Sequence, residues 1–274
     1  MRRTTLALLT TALAVAAVPA ADTGRLPPDP VAPPGLPALA RIADVRAILD
    51  EVALPPLPFE QAPAAPTFPF PAERLRHYGP DGTAADVLAA PEKFPFRAGV
   101  LRALGTLRKV PMLGAPKSAL AITQVPSPTG DKFKALVLKA QDVAAVAVAE
   151  LEGERDALVD LQGQRAAEPR RWQAHYDYAL AQVRRRLVFV HEYNKALGDI
   201  RTETMPDLPP DSPGWTLVPT EKLHSGRIVK HVLQEATDGF TALAEDCKGT
   251  PWEGLANRAL AVPPGLGWEA LPPK

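Results

Sequence analysis

Cysteine is almost missing from this chain. Cys247 stands alone, so no internal disulfide can form. Aromatic residues make up only 6%. That is sparse for a sugar-binding face of stacked rings or an aromatic-rich β-sandwich. Neither sign of charge is in excess: 31 Lys and Arg balance 31 Asp and Glu. Such a chain has no global field drawing it to nucleic acid or to an anionic membrane. Gly-rich phosphate loops, GxSxG and paired-cysteine metal motifs are missing too. Beyond the N-terminus no stretch is apolar enough to span a bilayer.

Proline, by contrast, is abundant. The chain has 32, most of them before residue 130 or after residue 205. The N-terminus, MRRTTLALLTTALAVAAVPA, has the layout of a secretory signal. Arg2 and Arg3 form a charged head, residues 6–18 a short apolar core, and Val18 and Ala20 the small residues before a cut after Ala20. No cysteine follows that core, so no lipid attachment site is expected. The expectation is an exported protein, periplasmic or secreted, with residues 1–20 removed and no transmembrane segment left. In an oxidising compartment Cys247 is either buried, the commoner outcome, or free to bridge two copies.

Residues 21–72 read as a Pro-rich extension with one short helix at 38–53, where Leu39, Ile42, Val45, Leu49 and Val52 recur at helical spacing. Residues 54–71 are polyproline-like, with Leu57, Phe59, Phe68 and Phe70 to lay against a folded body. Residues 73–274 read as one helical domain. Short helices are expected at AERLRHY, TAADVLAA and RAGVLRALGTLRKV, the last with Val100, Leu101, Leu104, Leu107 and Val110 on one face. SALAITQV is ambiguous between a helical turn and a strand.

The strongest pattern spans residues 131–200. Phe133, Val137, Ala140, Ala144, Ala147, Leu151, Leu158 and Leu161 alternate by four and three, with Glu154 in the gap. AAEP breaks the helix, because Pro169 disfavours helix at Glu168. Tyr176, Leu180, Val183, Leu187, Val190, Asn194 and Leu197 then continue the alternation. Two long helices joined by a short break predict an antiparallel hairpin. Asn194 is the one polar seam residue, a device that fixes register.

TETMPDLPPDSPGWTLVPT is expected to be a loop with Trp215 folded onto the body. A second helix pair is expected at 220–262. Ile228, Val232, Ala236, Phe240 and Leu243 form one face, and Gly249-Thr250-Pro251-Trp252-Glu253 opens the second helix with a capping box. VPPGLGWEALPPK reads as an irregular tail anchored by Trp268. With GTPWEGLANRAL at its turn and small residues at Ala236, Ala244, Ala256 and Ala259, this pair resembles the helix–turn–helix unit of tetratricopeptide-like repeats in exported bacterial proteins. The resemblance covers about 40 residues of the 274, and no second copy follows at a 34-residue period. The RWQAHYDYALAQV helix with the later GTPW turn is also similar to a type of exported bacterial helical protein; that similarity implies no activity or site.

Three motifs bear on chemistry. His191-Glu192-Tyr193-Asn194-Lys195 begins like a zinc-protease helix, but Lys195 replaces the second histidine that would complete the metal site. A solvated face is the expectation. His224 and His231 are two turns apart, roughly 10 Å, too far for one metal. Arg184, Arg185 and Arg186 fan around a helix, so pairing with Glu150, Glu152, Glu154 and Asp156 is expected instead of a phosphate-binding patch. Ser127, Thr129 and Ser225 have no visible His or Asp partners.

The expectation is therefore an all-α protein: a long antiparallel helical hairpin, a tetratricopeptide-like C-terminal pair and a Pro-rich N-terminal extension. The functional expectation is a non-enzymatic scaffold or protein-interaction module of the envelope or secreted space. It needs no cofactor or metal and no nucleic acid, and has an unidentified protein partner; a homodimer stays open. The flanking residues Tyr178, Phe189 and Tyr193 are the candidate partner contacts, unless another helix covers them. The alternatives are a hydrolase using paired carboxylates, or an envelope-polymer binder using Trp172, Trp215, Trp252 and Trp268.

Overall fold

The structure is a computed structural model. It describes residues 42–56, 70–79, 82–110 and 122–273. The expected signal sequence, the tether expected after it and most of the stretch read as polyproline-like lie outside the described residues.

The protein is mostly helical, with one small sheet. The described helices are α1 (Ile42–Val52), α2 (Ala72–Leu75), α3 (Ala84–Ala89), α4 (Pro95–Lys109), α5 (Asp131–Leu161), α6 (Arg170–Thr202), α7 (Arg227–Asp246) and α8 (Pro251–Leu260). Short 3-10 turns follow α2 and α5. No helix among the described residues is long and apolar enough to cross a membrane.

α5 and α6 form the expected hairpin, each roughly 45–50 Å long. Val137, Ala140, Ala144, Ala147, Leu151 and Leu158 are the buried residues of α5. Four–three spacing puts them on one stripe, and the alanines let α6 approach closely. The break is as the proline dictates: α5 tightens into a 3-10 turn, and Pro169 caps α6.

α6 is more than half of a hairpin. α4, α5, α7, α8 and the last strand all pack on it. Burial therefore runs around its circumference, from Trp172 through Ile200. Tyr178, Phe189 and Tyr193 are 3%, 5% and 0% exposed. Tyr178 lies edge-on to Phe240 of α7 at 6.5 Å. The Tyr193 hydroxyl accepts from the Ile122 amide at 3.1 Å. These three residues thus serve the interior, and none is at the surface for a partner.

Two segments expected to be irregular are strands. β1 (Gln124–Pro126), β2 (Gly214–Thr220) and β3 (Gly265–Ala270) form an antiparallel sheet in that order, with Val125 opposite Trp215 and Leu217 opposite Trp268. Gly214 has φ +149°, and a Cβ there would stand 2.0 Å from the Val125 carbonyl oxygen. Only glycine lets the two strands meet. Pro219, which argues against a central strand, lies past the end of β1, where β2 is paired on one side alone.

The terminal pair α7–α8 forms with two local differences. The buried stripe of α7 is Val229, Val232, Ala236, Phe240 and Leu243, whereas Ile228 is 81% exposed. At 100° per residue Ile228 lies about 80° from the stripe's centre. Thr250 stands at the N-cap of α8, but its hydroxyl donates to the Cys247 carbonyl at 2.6 Å. Glu253 accepts from the Gly249 amide at 2.7 Å, one residue earlier than the expected box.

Candidate functional site

Polar side chains on α6 make two kinds of structure: buried ties to irregular chain, and one wall of an open cleft.

The first tie is Glu192. It is fully buried instead of lying on a solvated face. Its carboxylate accepts from the amides of His224 (2.9 Å), Ser225 (2.7 Å) and Leu266 (3.4 Å), and from the Ser225 hydroxyl. Successive main-chain N–H groups form an anion-holding nest, and here the anion is a side chain of the protein itself. Glu192 thereby fixes the loop before α7 and the start of β3. No hydrogen bond among the described residues joins the His224 imidazole to Ser225, so no serine–histidine relay forms.

The second tie centres on Glu51 of α1. Arg171 and His175 reach it at 2.6 and 2.7 Å. The Trp252 indole donates to His175 Nδ1 at 3.3 Å. Nδ1 is therefore the acceptor nitrogen, and Nε2 carries the proton that Glu51 accepts. Burial lowers the pKa of His175, and Glu51 only partly opposes it. Burial alone would raise the pKa of Glu51, but the hydrogen bonds from His175 and Arg171 outweigh it and hold the carboxyl below the usual range.

The arginine triplet does not pair with the acids of α5. Arg184 meets Glu235 of α7 at 3.3 Å. Arg185 donates to the carbonyls of Val262 and Pro263, and Arg186 to that of Pro55. Proline-rich chain has few amide donors of its own but keeps its carbonyls, and arginine supplies the missing partners. Of the expected acids, Glu154 instead accepts from Arg102 and Thr106 of α4.

The cleft lies at the start of α6. Glu73, Arg74, His77, Tyr78, Arg170, Asp246, Lys248 and Thr250 line about 510 Å³. α2 and the 3-10 turn after it supply the first four, α6 contributes Arg170, and the end of α7 with the turn after it the rest. That turn depends on Gly249, which has φ +77° and lies against the Arg74 side chain. Tyr78 tilts against Trp252 with ring centroids 4.9 Å apart, and donates its hydroxyl proton to Cys247 Sγ at 3.6 Å. Burial pushes the Cys247 thiol up to about 11, with Tyr78 opposing. Since the thiolate is the nucleophile and the metal ligand, this cysteine is inert toward both roles. At 4% exposure it also cannot bridge to a second copy unless the turn opens.

His231 is exposed and faces Glu235 at 3.6 Å. Trp172 and Trp252 are fully buried, Trp268 is 6% exposed, and half-buried Trp215 is tied to the Pro206 carbonyl. They do not form the row of exposed indoles that polymer binding requires. No group of three or more His, Cys, Asp or Glu among the described residues could hold a metal ion. The signal that could have found the ties is weak: basic residues on a helix beside proline-rich chain. The cleft has no linear signature, because its wall comes from three separate segments. In comparisons with known proteins, no family model, no curated protein and no solved structure matches this chain.

Proposed function

We propose that this protein is an exported helical scaffold that works by holding a protein partner. The observation that supports it most is the set of aliphatic side chains that α5 leaves exposed among the described residues, on the flanks and back of its buried stripe. That helix packs against α4 and α6, yet Leu136, Leu138, Val146 and Val159 are 54%, 47%, 60% and 42% exposed. Beside Val146 runs a groove of about 600 Å³ between α4 and α5, lined by Thr106, Lys109, Val143, Val146 and Glu150 among others. Exposed aliphatic side chains beside a shallow groove suit a helix or loop from another protein. The groups best suited to chemistry are otherwise engaged: Glu192 holds main chain, His175 is shut in, and the Cys247 thiol stays protonated.

The test uses the full chain in its native cell. A photo-crosslinking residue at Val146 or Leu136 is expected to give one discrete adduct outside the cytoplasm, on protein that begins at Ala21. The same probe at exposed Lys230, on α7, is expected to give none. Cytoplasmic protein retaining Met1, or equal adducts from all three positions, would overturn the reading.

A further inference from the structure

We propose that the cleft between α2, the start of α6 and the α7–α8 turn binds a small phosphorylated polyol, such as a sugar phosphate. This goes beyond the scaffold reading and does not depend on it.

The argument starts from charge. Arg74, Arg170 and Lys248 bring three positive charges to one cavity, beside His77. Glu73 and Asp246 bring two negative charges. Among the described residues none of the four basic side chains is in an ion pair. Other basic residues of the fold are in close ion pairs, as in Arg97–Glu168, Arg171–Glu51 and Arg165–Asp177. The cleft concentrates cations and leaves them open to solvent.

The α6 terminus adds to the same field. Pro169 offers no capping side chain, and the first turn holds no acid. The positive end of a 33-residue helix therefore lies beside Arg170. A phosphate monoester carries about −1.5 to −2 charge near pH 7, enough to meet the net +1 of the lining and the roughly +0.5 of the helix end together. The two guanidinium groups suit forked hydrogen bonds to phosphate oxygens, and Lys248 provides a point charge.

Size and the remaining lining select the rest of the ligand. A water molecule takes about 30 Å³ in the liquid, so 510 Å³ holds far more than inorganic phosphate. Glu73 and Asp246 can only accept hydrogen bonds when ionised. Against a bare anion they repel; against a polyol they accept from hydroxyl groups. Tyr78, itself buried and braced by Trp252, supplies a rigid edge for the ligand's carbon skeleton.

The experiment is titration calorimetry on the full mature chain with glucose 6-phosphate, inorganic phosphate and glucose as probes. Saturable binding of glucose 6-phosphate is expected, weaker binding of inorganic phosphate and none of glucose. Arg170→Gln and Lys248→Gln should each weaken glucose 6-phosphate about tenfold, the worth of a charged hydrogen bond. Lys230→Gln, at an exposed position on α7, should leave the affinity unchanged. All three side chains are at the surface, and circular dichroism melts check that the variants fold alike; Arg74→Gln replaces either variant that does not. No saturable binding of glucose 6-phosphate, or equal losses in Arg170→Gln and Lys230→Gln, would overturn the site. Equal affinity for glucose 6-phosphate and inorganic phosphate would overturn the polyol assignment.

Discussion

Along its α5 flank, α6 meets alanines and aliphatic side chains; elsewhere around its circumference it meets carbonyls, amides and a carboxylate. The α5 side is a seam of Ala140, Ala144, Ala147, Leu151 and Leu158 with the buried Tyr176, Val183, Leu187, Val190 and Leu197 of α6, the Tyr176 hydroxyl reaching the Leu158 carbonyl at one end. Its contacts are non-directional, and removing apolar area from water stabilises them. The other side uses Arg171, His175, Arg185, Arg186 and Glu192, each aimed at a specific atom of α1, of proline-rich chain, or of the loops around α7 and β3. Regular helices satisfy their own main chain and need only packing. Irregular chain does not, so the helix it packs on must supply donors and acceptors.

Breaking the polar side should have the largest effect. Glu192→Ala leaves three amides and a hydroxyl without their acceptor in a buried site. About 4 kcal/mol of stability should be lost, as when one member of a buried charged network is removed. Glu192→Gln keeps one oxygen acceptor and should lose roughly half of that. Denaturant unfolding measures both, and a loss under 1 kcal/mol for the alanine variant would contradict the role assigned to this carboxylate.

Crowding the apolar side should have the next effect. Ala144 is fully buried in the middle of the seam. Ala144→Leu forces the helices apart and should destabilise by about 2 kcal/mol. A variant as stable as the parent would mean the seam is loosely packed. The size of the Ala144→Leu loss relative to the Glu192→Ala loss is the direct comparison of the two sides.

Acid should act on the polar side selectively. His175 has its pKa lowered from 6.5 by burial, and Glu51 has its own lowered by His175 and Arg171 against burial. In both cases the unfolded chain binds the proton more readily. The stability these groups contribute is complete above the unfolded values and is lost as pH falls through the folded ones. Half-buried His191 has the same sign, whereas Asp177, raised by burial, loses its contribution as pH rises above 3.8. The urea midpoint should therefore fall from about pH 6.5 downward. His175→Gln should flatten the upper part of that fall, and an unchanged slope would show that His175 does not carry it.

The smallest effect is expected at Asn194, the polar residue of the seam. Its side-chain oxygen is buried without a hydrogen-bond partner. Asn194→Leu should change stability by no more than about 1 kcal/mol, in the stabilising direction. A large loss in the same denaturant measurement would show that Asn194 sets the register of the hairpin.

The hairpin was legible because its signal is periodic and local. The α5 seam residues from Val137 to Leu158 come from spacing alone, as does the α4 stripe of Val100, Leu101, Leu104 and Leu107. Ile228 shows the limit of that method: two phases of one stripe differ by a single residue, and only the neighbouring helix selects between them. The strands were not legible. Pro219 in β2, and Gly265 and Gly267 in β3, are poor strand formers taken locally. The capping box failed for a similar reason, since the Thr250 hydroxyl had a competing carbonyl at Cys247 within reach.

The sequence by itself determined where the long helices run, which stripe of α5 is buried and where proline ends one helix and caps the next. Those follow from backbone sterics and from the 3.6-residue period, and both act over a few neighbouring residues. Tertiary structure alone decided what α6 does with its polar residues. Glu192 lies 32 residues from His224 and 74 from Leu266, and the cleft joins side chains from α2, α6 and the α7–α8 turn. A hydrogen bond or a cavity wall depends on distance in space, and chain separation carries no trace of it until the helices have packed.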